Sequence, residues 1–198
     1  MTTDIIDRLA GIVPGSPVDG LRRRRDQARA NAQASYAALF AAPGGTGPSR
    51  TERLAVATFV AALHTAASAH GHYRALLVEA AGRRIADLVD AVATEAATSG
   101  PYGRFPATAD LRAEDAPGPV LRVADEVASI LGERLAAALE HAHLLVFRPR
   151  EASPEALTSL VRAGWSTPEI VTLAQLVAFL SFQLRVVHGL HVLEEVPS

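Results

Sequence analysis

The ten residues LAVATFVAAL, Leu54 to Leu63, carry a single polar side chain, Thr58. At about 100° per residue, Leu54, Ala57, Phe59, Val60, Ala61 and Leu63 leave no polar face. A helix of that kind is stable only when buried on every side, so the remaining chain must supply elements that enclose it. Its start is marked by Ser49-Arg50-Thr51-Glu52, the pattern of a capping box in which hydroxyl and carboxylate satisfy free amides reciprocally. The apolar run continues to Ala69 and ends in LHTAASAH, a stretch of small residues with His64 and His70 at its edges.

The same logic gives helices elsewhere. The composition is 49% hydrophobic but 5% aromatic, so alanine, leucine and valine dominate and helix is favoured over strand. A short amphipathic helix is expected from Asp4 to Ile12, stopping at Val13-Pro14-Gly15. Ser16-Pro17 opens the next, through Ala42 to Pro43-Gly44-Gly45. Further helices are expected over His72 to Thr98, with Gly82 as the place of a break, over Ala124 to Phe147, over Pro154 to Ala163, and from Pro168 to about Leu193. The fold class is therefore all-α, a multi-helix bundle in one domain over 1–198. It divides into an N-terminal arm (1–44), a first helical block (45–98), a loop (99–121) and a C-terminal helical block (122–198). Seven residues of that loop are Gly or Pro, and no period survives in it; such segments usually serve as lids, binding loops or oligomer arms.

Charge and missing residue types narrow the chemistry. A net charge of −2 argues against a nucleic-acid partner. The run Arg22 to Arg25 reads as a solvated helix face, with an anion or lipid contact as the alternative. The chain has no cysteine, which excludes disulfides, thiolate ligands and thiol redox chemistry. The N-terminus lacks the basic and apolar regions of a signal peptide, and the apolar runs fall short of about 18 unbroken residues. The expectation is a cytoplasmic protein with no membrane partner.

The last helix holds the most informative polar residues. Ser181, Arg185 and His188 fall within about 60° of each other on the helical wheel, with Ala174 and Ala178 continuing the strip. A buried arginine there needs a carboxylate, and Glu52, Glu133 and Glu140 are available. One reading is a polar pocket lined by Arg185 and His188; the other is a structural ion pair or an oligomer face. Glu140 and His143 have the i, i+3 spacing of dimetal carboxylate bundles. No second such motif exists, so no metal is expected. His188 and His191 form an H-x-x-H near a solvated end. His64, His70 and His72 lack a carboxylate at ligand spacing, and a buried His64 is read as a neutral core histidine with one hydrogen bond. No phosphate-binding loop, dinucleotide fingerprint or nucleophile elbow is present, so no cofactor is expected.

The block from Leu139 to Leu190, LEHAHLLVFRPREASPEALTSLVRAGWSTPEIVTLAQLVAFLSFQLRVVHGL, resembles the closing helices of the carboxymuconolactone decarboxylase (CMD) / alkylhydroperoxidase D-like (AhpD-like) superfamily. AGWSTPEIV and FRPR carry the likeness. SRTERLAVATFVAALH is similar to the helix that introduces that family's active site. DIIDRLAGIVPGSP, ASYAALF and LGERLAAALEHAHLLVF resemble a cysteine-less subgroup of uncharacterised members. The resemblance implies an AhpD-like all-α bundle and a homo-oligomer (dimer, trimer or hexamer). In peroxidase members a C-x-x-C on a helix attacks peroxide and closes to a disulfide. The register places those cysteines near Ala66 and Ala69, and makes His70 or His72 the relic of the relay histidine; no role passes to Glu52. Related sequences often show asparagines near Ser181 and Leu184, and only Arg185 is kept. Thiol peroxidase chemistry is ruled out for this chain. The surviving options are decarboxylase- or isomerase-type acid–base chemistry on a small organic substrate using His64 or His188, and a catalytically silent oligomeric or ligand-binding partner of an active relative. The candidate pocket residues are His64, His70, Glu140, His143, Ser181, Arg185 and His188.

Overall fold

The computed structural model describes residues 4–41, 47–105 and 115–195. They form α1 (Ile5–Leu9), α2 (Pro17–Arg23), α3 (Asp26–Phe40), α4 (Arg50–Leu63), α5 (Ala67–Ala81), α6 (Arg83–Glu95), α7 (Asp125–Leu131), α8 (Glu133–Phe147), α9 (Pro154–Arg162) and α10 (Thr167–Glu195). No strand occurs among the described residues; one isolated antiparallel bridge joins Gly103 to Ala116. The all-α reading holds. Part of the expected 99–121 loop, at 106–114, lies outside the described residues, as does the expected helix end at Ala42.

The helix without a polar face is the hub. α4 packs against α5, α6, α8 and α10, and Leu54 through Ala61 and Leu63 are all buried. Thr58 is tolerated there because its hydroxyl donates to the Leu54 carbonyl at 2.8 Å. The capping box forms as the sequence predicts: Glu52 N donates to Ser49 Oγ at 3.2 Å, and Ser49 N to Glu52 Oε2 at 2.7 Å.

Glu52 also reaches across the bundle. Arg134 Nε donates to Glu52 Oε1 at 2.6 Å, its Nη1 to the Gly164 carbonyl, and its Nη2 to Glu169. The guanidinium lies 4.1 Å over the Trp165 ring, whose Nε1 donates back to the Arg134 carbonyl at 2.9 Å. One side chain of α8 thus ties the start of α4 to the turn between α9 and α10. Glu169 is held near pKa 2 by Arg134 and by Ser166, so the clamp stays charged across the physiological range. Glu52 and Glu140, offered as partners for Arg185, are committed to Arg134 and Arg122 instead.

Several boundaries differ from the sequence reading. The expected 17–42 helix is two helices broken at Arg24 and Arg25, because the arginine run is not a uniform solvated face. Arg22 turns inward, donating to Asp4 Oδ1 at 2.7 Å and Asp7 Oδ1 at 2.9 Å, and Arg29 of α3 pairs with Asp7 from the other side. Only Arg23, Arg24 and Arg25 remain exposed. The expected 124–147 helix breaks at Gly132, whose φ of +88° is a conformation side chains disfavour. Gly82, at φ +85°, breaks the earlier one as anticipated, although α5 begins at Ala67 rather than His72 because the α4 run stops at Leu63 instead of continuing to Ala69.

α10 is not buried all round. Leu176, Leu180, Gln183 and Val187 form its inner stripe. Val171, Gln175, Ala178, Phe182, Arg185, Gly189 and Val192 are exposed and step alternately by four and three residues, the spacing of a coiled-coil seam. By length and composition Thr167–Glu194 could cross a membrane, a property that core helices of soluble proteins share, although Gln175, Ser181, Gln183 and Arg185 interrupt its apolar run.

Removing Arg22 would leave Asp4 and Asp7 buried and undercompensated. Arg22→Ala is expected to lower unfolding free energy by about 3 kcal/mol, against no more than about 0.5 for Arg24→Ala, both read from urea denaturation midpoints.

Candidate functional site

α4 ends where its last turn meets a left-handed residue. Thr65 has φ +53°, an unfavourable conformation for a β-branched side chain, and it turns the chain from α4 into α5. Strained backbone of this kind costs on the order of 1–3 kcal/mol and persists only where its surroundings hold it. The corner His64-Thr65-Ala66 faces α10, and between them the surface is hollow.

A cleft of about 560 Å³ runs between His64, the C-terminal end of α8 and α10, with Pro101, Phe147, Ala178, Ser181 and Arg185 in its walls. A second hollow of about 380 Å³ shares His64 and Arg185 and adds Thr65, Ala66 and His188. The chain after α6 reaches this place because Tyr102 N donates to the Phe147 carbonyl at 2.6 Å and Arg150 Nη1 to the Tyr102 carbonyl at 3.2 Å.

Two polar groups dominate. His64 Nε2 is buried with no hydrogen-bond partner, so the single bond expected for it is not made. Burial, and secondarily the charge of Arg185, lower its pKa below 6.5, leaving the ring neutral at pH 7. Arg185, expected to be buried against a carboxylate, is exposed; its Nη1 donates to the Ser181 carbonyl at 3.3 Å, and no carboxylate lies within ion-pair reach among the described residues. An uncompensated guanidinium beside a neutral imidazole attracts anions, and a planar one can grip a carboxylate with two bonds.

Of the residues read from the sequence, His64, Ser181, Arg185 and His188 come together here. The others do not. His70 Nε2 lies 2.8 Å from Asp90 Oδ1 on the neighbouring helix, and Asp90 also accepts from Arg74 at 2.6 Å. Glu140 accepts from Arg122 at 2.8 Å and from Val123 N at 3.0 Å in a different cleft. His143, paired with Glu140 by spacing in the sequence, is buried, with Nε2 3.2 Å from the Ala96 carbonyl and burial lowering its pKa. Ala66 lines the hollow, whereas Ala69 is buried in the core.

Sequence reasoning also missed polar groups on buried faces. Gln183 sits in the inner stripe of α10, where it accepts from the Tyr73 hydroxyl at 2.5 Å; a lone polar residue in register with Leu176, Leu180 and Val187 was the available signal. His72 meets the Tyr36 hydroxyl at 3.0 Å and Arg8 Nη2 at 3.2 Å, and burial, then Arg8, press its pKa to about 4. Only the tertiary fold brings those three together.

No protein-family model, curated protein or solved structure matches this chain.

The histidines set a pH window. His64, His72, His141 and His143 all have lowered pKa values, chiefly from burial. Unfolding restores a value near 6.5, so below that pH the unfolded chain binds more protons than the native one. Their contribution is complete above pH 6.5 and lost as pH falls toward 4. Urea midpoints should be flat from pH 8 to 7 and decline from 6.5 to 5, before carboxylates titrate; no change down to pH 5 would contradict this.

Proposed function

We propose that the chain is a cysteine-free member of the CMD/AhpD-like superfamily that binds a small organic anion in the α4–α10 cleft and carries out acid–base chemistry on it, of the decarboxylase or isomerase type. The observation that carries the reading is the uncompensated Arg185 beside the neutral, unpartnered His64. Arg185 is positioned to hold a carboxylate or a developing enolate, where a fixed cation stabilises charge as it forms. A neutral imidazole can take a proton from an acidic carbon and return it to another. Ser181 and His188 border the same space and supply further hydrogen bonds.

The superfamily reading is supported by position. HTAASAH, the stretch that resembles the thiol motif, forms the corner and first turn of α5 beside the cleft, and a helix N-terminus is where a thiolate gains stability. Homo-oligomerisation is supported by Val171, Phe182 and Val192 of α10, apolar, about half exposed and outside the walls of the cleft. A silent structural partner would instead have the Arg185 strip sealed at a subunit interface and His64 packed solid.

The test compares benzoate, benzyl alcohol and benzylamine by thermal shift and by backbone amide NMR. Benzoate should bind tightest at this cleft, and Arg185→Gln should weaken it about tenfold, the loss of one charge-assisted bidentate contact. His64→Gln should keep the fold and reduce benzoate affinity by a smaller factor. Equal binding of benzoate and benzyl alcohol would overturn the anion site. With a thiol reductant present, the protein should consume no hydroperoxide; turnover would overturn the exclusion of peroxidase chemistry.

A further inference from the structure

A second cleft lies on the opposite side of α8, between that helix, α9 and the segment at 120–122, with a volume of about 310 Å³. Its floor is apolar, made by Ala137, Leu144, Ala156 and Leu160, with one exception. His141 lines it, is 6% exposed, and has no hydrogen bond to its ring among the described residues. With no partner in the protein, the ring nitrogens of His141 are left to whatever fills the cleft.

The rim is acidic. Glu140, Glu151 and Glu155 stand against Arg122 and Arg148. Arg122 Nη1 pairs with Glu140 at 2.8 Å and Arg148 Nη1 with Glu151 Oε2 at 2.5 Å, while Arg148 Nε is buried without a partner. Glu155 is left with no cation among the described residues. Its own backbone amide, and then Ser153, lower its pKa. Three carboxylates against two guanidinium groups leave the rim net negative, which disfavours anions. Among the described residues no group of three ligands is arranged for a metal ion.

We infer that the α8–α9 cleft is a second binding site, selective for a small organic ammonium ion with an apolar body. The apolar part covers Leu144 and Leu160. The ammonium group, with its N–H donors, meets the Glu155 carboxylate at the rim and the unpartnered acceptor nitrogen of His141 on the floor. The site shares no lining residue with the α4–α10 cleft, and the inference stands independently of the function proposed there. Glu140, read from the sequence beside His143, lines the same cleft as His141 instead, while His143 is buried in the core.

The probes are benzylamine, benzyl alcohol and benzoate, followed by amide chemical-shift changes and calorimetry on the intact chain. Benzylamine should move resonances of α8 and α9 around His141, Leu144 and Leu160, with a Kd on the order of 1 mM for a ligand of this size. Benzyl alcohol should bind at least about fivefold more weakly and benzoate not at all in this cleft. Glu155→Gln, on the surface and safe for folding, should weaken benzylamine about fivefold, the scale of one partly exposed ion pair. His141→Gln should weaken it further, by about tenfold. Equal affinity for amine and alcohol, shifts confined to other helices, or an unchanged affinity in Glu155→Gln would each overturn the inference.

Discussion

A helix with no polar face dictates what surrounds it. Fully burying a large apolar side chain is worth about 1.5–3 kcal/mol, and α4 contributes Leu54, Val56, Phe59, Val60 and Leu63 in barely three turns. That gain exists only if α5, α6, α8 and α10 close around it, so the positions of those four helices follow from α4. The Arg134 clamp holds the N-terminal end of this arrangement, linking Glu52 of α4 to Glu169 of α10. At the other end no such clamp exists among the described residues.

The cleft arises from that asymmetry. α4 stops abruptly at His64, Thr65 takes a left-handed conformation, and α5 folds back before α10 can pack fully against the corner. The inner stripe of α10 remains in the core through Leu180, Gln183 and Val187, and rotation by two residues carries Arg185 out to the cleft wall. His64 is left half-buried, with a ring nitrogen that no protein group satisfies. Neutrality of the imidazole and the uncompensated charge of Arg185 are two consequences of the same helix end.

Much of the fold was legible because its signals are local. Apolar all-round patterning located α4, and Ser49 with Glu52, Ser16 with Pro17, and Ser153 with Pro154 marked helix starts that depend on hydrogen bonds within one turn. Breaks at Arg24 and Gly132 were not legible, since the first is set by Asp4 and Asp7 on another helix and the second by a glycine that a continuous helix could also have tolerated. Half of the candidate site was readable for a similar reason. Ser181, Arg185 and His188 share a face of one helix, and His64 ends another. Glu140 and His143 were singled out by their i, i+3 spacing and His70 by the resemblance, and the fold sends each to a different neighbour. Burial of Arg22 and exposure of Arg185 invert the reading that clustered charges are solvated and isolated ones are buried.

Two clefts of opposite character thus flank the C-terminal helical block. One presents a free cation beside a neutral histidine, the other a free carboxylate beside a second neutral histidine. The coupling of His64 to Arg185 is the feature on which the proposed chemistry depends, and it is measurable without knowing the substrate. An NMR titration of the His64 imidazole should give a pKa below 6.5 in the free protein, and a higher one both in Arg185→Gln and with benzoate bound. A value at or above 6.5 that neither the substitution nor the anion moves would contradict the site.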